Sequence, residues 1–447
     1  MTQQEWGLCR VNSQKNGFVD ERNGQAFVPF GVNYYDHETG WAPQIWAQFH
    51  EQRVREQFQL MRSYGVNIAR VFLASTNFQP AKDRMNPAAL EKFDRYLSIA
   101  RETGIRLIPT GPDHWEGVPD YDQPDMFCGP EVFQALDYFW SQMAARYRDE
   151  PAIFAWDLRN EPMVKWDGPF MREGWQAYLK ERYGSDQAIS DAWDGAFSSE
   201  ESLEKGTVKI PEDRPSPNDP RLYDYQLYRE QVARKWTEHQ VHAIRQAGDR
   251  HMITIGYIQW SFPGYLGNVS PSGYGAFRPS MLADLLDFDC AHFYPMFGGP
   301  ANEALTQANL HYLLDWLRFC DTSRPILLEE YGWYGGGVLN EDLGYYSLEQ
   351  QVDWNRRLLE STKGFASGWL CWPFADTPTS TDMSRLGGMV DAQLQPKPWG
   401  LFFREYAEQL KKEPPVYSAD RKPLRWTEEE FRYLVTIGGD QSLYWKG

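Results

Sequence analysis

Short apolar runs recur along this chain, and between them lie longer stretches whose apolar positions fall three and four residues apart. The first pattern belongs to buried strands, the second to helices packed on one face. In order, the strand candidates are Phe30–Tyr34, Ile68–Leu73, Arg106–Thr110, Ile153–Leu158, Met252–Tyr257, Phe288–Phe293, Ile326–Glu330 and Gly368–Trp372. Helical patterning covers 51–64, 88–103, 131–148, 222–247, 302–320 and 348–362, and Gly65, Gly104, Gly248 and Gly364 stand where a left-handed cap would end a helix. Alternating strands and helices predict a parallel sheet, and eight strands predict a closed (β/α)8 TIM barrel. A doubly wound open sheet would begin with a glycine-rich phosphate loop, and none is present.

A hairpin, Gly17–Asp20 with Ala26–Pro29 turning at Asn23-Gly24, is expected to cap the bottom of the barrel. The expected organisation is residues 1–29 as N-terminal segment and hairpin, 30–412 as barrel, and 413–447 as a C-terminal extension. Two insertions, about 163–221 and 262–280, follow strands four and five and should enlarge the loops of the catalytic face. No function is assigned to the charged, mixed tail.

The aromatic content alters the picture most: 19 Trp, 25 Tyr and 25 Phe make up 15% of 447 residues. Core packing accounts for most of them, and those at strand ends are candidates to stack on sugar rings. A net charge of −17 with no basic run argues against nucleic acid or an anionic membrane as partner. Carbohydrate is the expected partner; oligomeric state is not legible. Met1 leads into Thr-Gln-Gln-Glu-Trp with no basic or apolar leader pattern, and five scattered cysteines show no metal-ligand spacing. The expectation is a cytoplasmic protein with reduced thiols, although a trimmed secreted chain would read the same.

Strand four runs out as Trp156-Asp157-Leu158-Arg159-Asn160-Glu161-Pro162, strand seven as Leu327-Leu328-Glu329-Glu330-Tyr331-Gly332. Each delivers a carboxylate to the catalytic face. Cleaving a glycosidic bond with retention needs two carboxyl groups about 5–5.5 Å apart, one acid and one nucleophile. A lone glutamate at a strand end would be read as a solvated rim charge; two in matching contexts point to catalysis.

Asn-Glu-Pro after strand four and Glu-Tyr-Gly after strand seven resemble the clan A glycoside hydrolases, most closely the family 5 type, over roughly residues 25–405. The resemblance implies Glu161 as acid/base and Glu330 as nucleophile. It implies that Arg70, in Asn67-Ile68-Ala69-Arg70-Val71, supports the nucleophile, and that Tyr294, in His292-Phe293-Tyr294, directs its hydroxyl there. Trp372 is similar to the tryptophan that floors the −1 sugar site. Arg70 is expected to lower the pKa of Glu330, and Asn160 to donate to the sugar 2-hydroxyl. Glu329 competes for the nucleophile's place; strand alternation lets only one of the pair face the bore, and Glu-Tyr-Gly favours Glu330.

In Gly111-Pro112-Asp113-His114-Trp115, His114 is a candidate for a sugar hydroxyl and Trp115 for stacking, with loop packing the alternative for both. Trp260 and Trp333 are further stacking candidates, and Asp376 could hold a hydroxyl or cap a loop. His239 and His242 stand three apart on a helix, but on the barrel's exterior with no third ligand nearby, so no metal and no cofactor is expected.

The segment Trp175–Gly184, followed by Ala188–Trp193, is similar to one in the family 42 β-galactosidases, whereas Arg70-Val71-Phe72-Leu73 and Asp113-His114-Trp115 look more like family 5 enzymes and β-mannanases. A gluco- or manno-configured oligosaccharide or small glycoside is the first expectation and a β-galactoside the second. Transglycosylation by the same intermediate, and a non-catalytic carbohydrate-binding barrel, are the other readings.

Overall fold

The apolar runs form eight parallel strands: β1 Phe30–Asn33, β2 Ile68–Ala74, β3 Arg106–Asp113, β4 Ala155–Asn160, β5 Met252–Tyr257, β6 Asp289–Phe293, β7 Ile326–Tyr331 and β8 Gly368–Cys371. Each pairs with its neighbours in sequence, and β8 returns to β1, closing the barrel. This is a computed structural model describing residues 6–113, 119–265, 270–295, 303–318, 324–415 and 426–438. Every residue of the eight strands is buried, as strands covered on both faces must be.

The outer layer comprises α1 Glu51–Ser63, α2 Pro87–Thr103, α3 Pro130–Tyr147, α4 Pro169–Tyr183, α5 Asp186–Ala192, α6 Pro220–Gln246, α7 Glu303–Leu317, α8 Leu348–Thr362 and α9 Pro398–Lys412. Between β5 and β6 the described chain makes only short 3-10 turns. A tenth helix, α10 Glu428–Ile437, is nucleated by a reciprocal cap between Thr427 and Glu430. It docks on the barrel's exterior, with Phe431 stacked on Trp316 and Arg278 over its ring.

The N-terminal strands Cys9–Val11, Phe18–Asp20 and Ala26–Phe27 form an antiparallel sheet across the bottom. Phe18 is pushed into the bore, edge-on to Phe154 at 5.0 Å and Phe288 at 5.1 Å. Together with Cys9, Ile108 and Leu327 these rings make a separate apolar cluster that seals the floor.

The insertion at 163–221 does something other than enlarge the cleft. Trp175 of α4 stacks on Trp193 after α5 and meets Tyr225 and Tyr228 of α6. Its aromatics find partners on that helix, so the insertion builds a side wall outside the catalytic mouth. Among the described residues, none of 163–221 lines the cleft.

Candidate active site

Arg70 organises the interior. It is fully buried on β2, where ionic groups persist only when paired and hydrogen-bonded. Its Nη1 donates to Glu330 Oε1 at 2.6 Å and to Asn33 Oδ1 at 3.2 Å, and its Nη2 to Asp157 Oδ2 at 2.7 Å and Asn160 Oδ1 at 2.9 Å. Nε donates to Thr110 Oγ1 at 2.9 Å and Asp157 Oδ2 at 3.1 Å. Four strands therefore meet at one guanidinium.

Glu330, on β7, is 6% exposed. Tyr294, just beyond β6, donates its hydroxyl to Glu330 Oε2 at 2.7 Å. Burial pushes the Glu330 carboxyl up, against the pull of His292 and Arg70, with the charge of Glu161 adding to the rise. The expected lowering by Arg70 is thus outweighed by desolvation. Glu161 follows β4 with a left-handed backbone, φ 51°. Such a conformation costs a non-glycine residue about 1–3 kcal/mol, and a hydrogen bond from its N–H to the Gly256 carbonyl at 2.9 Å holds it. Its Oε1 lies 2.8 Å from His292 Nδ1.

Strand alternation fails at the critical place. The pairing of β7 with β6 slips between Leu328 and Glu330, and this bulge turns both glutamates inward. Glu329 is fully buried, its Oε1 3.4 Å from Arg70 Nε and its Oε2 3.5 Å from His292 Nε2. Burial raises its carboxyl, but Arg70 and His292 more than offset that and hold it below the ordinary range. Asp157 is pushed up to about 7, first by burial and then by the charge of Glu329. Burial alone would lower His292, yet the charge of Glu330 and contacts with Glu161 and Glu329 raise it to about 10.

Gly256, on β5, sits where this cluster leaves no room. A Cβ there would fall 2.8 Å from both Glu329 Oε2 and His292 Nε2, and 2.9 Å from Arg70 Nη2. Gly256→Ala is therefore expected to lower kcat about 100-fold, as ångström-scale misplacement does, while circular dichroism stays native. Unchanged kcat would mean that the cluster yields freely.

Donor atoms of Glu161, His292 and Glu330 lie within 4.8 Å of one another. That spacing would admit a metal ion, but Arg70 already neutralises Glu330 and a protonated imidazole offers no lone pair. Glu161 and Glu330 border a cleft of about 700 Å3, with His292 buried behind them, inside the range of about 300–1,000 Å3 for small-ligand sites.

Of the other residues singled out in the sequence, Asn160, Trp260, Trp333 and Trp372 line this cleft. The Asn160 carbonyl oxygen is taken by Arg70, leaving its NH2 as the group to offer a ligand. Trp260 is half-buried, whereas Trp333 is buried against Tyr334 and Tyr346 and acts as wall more than open face. Asp376 does not reach the cleft: it is paired with Lys397 at 3.0 Å and accepts the Gly388 N–H, fastening the loop after β8. His114 and Trp115 lie outside the described residues. On the exterior, His239 stacks on Phe133 and meets Asp137, and His242 is exposed.

Sequence reading missed Tyr35 and Trp41 after β1, and Thr377, Asp382 and Ser384 after β8. Trp41 meets Trp372 edge-on at 4.9 Å; Tyr35 Oη and Thr377 Oγ1 are 3.0 Å apart; Trp372 Nε1 donates to Ser384 Oγ. The Trp- and hydroxyl-rich composition of these two loops was the available signal.

A family model described as β-galactosidase, glycoside hydrolase family 42, matches residues 131–328. The chain is 33% identical over 89 residues to the "Probable mannan endo-1,4-beta-mannosidase C" of Aspergillus terreus, covering 18% of this chain and 22% of that one. It is 23% identical over 375 residues to that organism's "Probable mannan endo-1,4-beta-mannosidase A-2", covering 76% of each. Among solved structures, the exo-β-1,4-mannosidase Op5Man5 from Opitutaceae bacterium strain TAV5 superposes with a TM-score of 0.63 at 18% identity, over 91% of this chain and 63% of that one. This chain thus spans 22% of the first of these relatives' length, 76% of the second's and 63% of the third's.

The fold is a closed (β/α)8 barrel, and the family match, over fewer than half of the residues, together with the mannosidase-named relatives makes the chain similar to clan A glycoside hydrolases. Among the described residues no helix is long and apolar enough to cross a membrane.

Proposed function

We propose that the chain hydrolyses β-mannosidic bonds with retention, Glu330 acting as nucleophile and Glu161 as acid/base. The observation that carries this is the approach of the two carboxylates, with donor atoms within 4.8 Å across His292. That is the separation of a double displacement, too close for a water between sugar and base. Glu330 attacks the anomeric carbon while Glu161 delivers its proton to the glycosidic oxygen, and the aglycone leaves. Glu161 then takes a proton from water, whose oxygen attacks the same carbon and releases Glu330. His292 occupies Glu161 Oε1, so the travelling proton belongs on Oε2. Asn160 offers its NH2 to the 2-hydroxyl.

Two mannosidase-named relatives and an exo-mannosidase fold neighbour support a manno-configured glycone. Loops after β1 and β8 border the cleft, which supports short oligosaccharides or small glycosides. The second reading, a β-galactosidase, is favoured by the family match over 131–328. Unpaired Cys9, Cys128, Cys290 and Cys371 support a reducing, cytoplasmic setting.

The test is a panel of aryl β-mannoside, β-glucoside, β-galactoside and β-xyloside, with proton NMR following the first-formed anomer. Fastest release from the mannoside, with the β-anomer first, is expected. A galactoside preference would move the enzyme to the second reading, and first-formed α-anomer would remove the double displacement.

A further inference from the structure

Glu329 has no part in the reaction as described, yet it is buried directly behind it. Its two oxygens approach the far sides of the two residues that hold the catalytic pair: Arg70, which grips Glu330 at 2.6 Å, and His292, which meets Glu161 at 2.8 Å. Among the described residues neither oxygen has a well-aligned hydrogen-bond donor, and the Cys290 thiol also faces them. An acidic side chain taken wholly out of water costs several kcal/mol unless compensated, so a carboxylate here needs the charges it faces. Those facing it are Arg70 from β2, Asp157 from β4, Cys290 and His292 from β6, and Glu330 on its own strand. Arg70 and His292 are the only cations in that set.

His292 stands between carboxylates on both ring nitrogens, Nδ1 at 2.8 Å from Glu161 and Nε2 at 3.5 Å from Glu329. A neutral ring would turn a lone pair towards one of them. We propose that Glu329 is a positioning residue for both catalytic carboxylates: it steadies Arg70 against Glu330 and keeps a proton on His292 Nε2, so that a charged donor faces Glu161 in the step where that residue is the base. The inference rests on the roles given above to Glu161 and Glu330.

It explains why a second glutamate is turned inward. When Glu330 becomes esterified, its charge disappears, and with it one of the three anions around His292, whose Nδ1 lies 3.6 Å from Glu330 Oε2. Glu329 cannot be esterified from behind the bulge, so its charge remains. His292 then stays an imidazolium through the second step, and its Nδ1–H continues to face Glu161 Oε1 at 2.8 Å.

Glu329→Gln removes the charge and keeps the shape. In 15N-histidine-labelled protein, the His292 resonances are assigned by their absence from His292→Gln. At pH 7 both nitrogens should be protonated in the parent and in Glu329→Asp, whereas in Glu329→Gln the ring should titrate between about pH 6 and 8. With a 2,4-dinitrophenyl glycoside, whose leaving group needs no acid, the second step limits turnover. There Glu329→Gln should be about tenfold slower than the parent, and azide, which attacks without a base, should restore the rate. A role confined to packing would slow the enzyme without altering the charge of His292 or the response to azide, and would overturn the proposal. So would an imidazolium that persists in Glu329→Gln. Glu161→Ala serves as the control: if azide fails to accelerate it, the base assignment fails, while the NMR comparison still decides the link between Glu329 and His292.

Discussion

Glu330→Ala should reduce turnover of every substrate by on the order of 10^5-fold, as loss of a nucleophile does, while the protein remains folded. Arg70 keeps Asp157 and Glu329 as counter-ions, so no cation is orphaned by the change. Because burial already disfavours the Glu330 carboxylate, its removal should leave unfolding stability within about 1 kcal/mol of the parent. The truncation opens a space beside Arg70 Nη1 and the Tyr294 hydroxyl, both of which favour an anion. Azide entering there would attack an aryl β-glycoside from the nucleophile's side and give the α-glycosyl azide. Glu329→Ala opens no such space beneath the anomeric carbon and should give none. An α-azide from Glu329→Ala, or a β-azide from Glu330→Ala, would show that the two neighbouring glutamates have been assigned in the wrong order.

Arg70→Met should be the most damaging substitution for the fold. It leaves Asp157, Glu329 and Glu330 buried around an apolar side chain, where breaking an ionic network by removing one partner costs about 3–5 kcal/mol. The deficit has a pH signature. Asp157 is raised to about 7 even with Arg70 present, so lowering the pH through that value protonates it and removes one uncompensated charge. The sign follows from linkage: a carboxyl raised in the folded state favours folding below its unfolded value, and that contribution is lost as pH rises through about 7. Urea midpoints of parent and variant should therefore diverge most above pH 7 and converge towards acid. Parallel curves would mean that Asp157 is ionised throughout.

The barrel was legible because strands buried on both faces must be nearly all apolar, and the polar exceptions then mark the site. Glu161 and Glu330 stood out in this way, at the ends of such runs, while Arg70, Asn160 and His292 were singled out by the resemblance of their motifs; Asn160, Glu161 and Glu330 line one cleft with Arg70 and His292 packed behind them. What stayed hidden has a common physical origin. The slip at Leu328–Glu330 is a matter of pairing with β6 and leaves no mark in β7 itself, so alternation misplaced Glu329. Asn33, Thr110 and Asp157 read as single polar residues in apolar strands, and only closure of the barrel brings them to Arg70. Helix α10 went unread in the charged, mixed tail, although its reciprocal cap, Thr427 with Glu430, was a signal available there. In the insertion at 163–221, nothing local told the tryptophans that α6 would take them up.

Among the described residues, the phenylalanine stopper closes the base of the barrel opposite the cleft. With Phe18, Phe154 and Phe288 closing the lower end, in the proposed double displacement the aglycone would leave and water arrive by the cleft at the other end. The lifetime of the proposed glycosyl–enzyme would then depend on how fast that cleft clears. A molecule lingering in it, whether leaving group or added sugar alcohol, is placed to intercept the intermediate before water arrives.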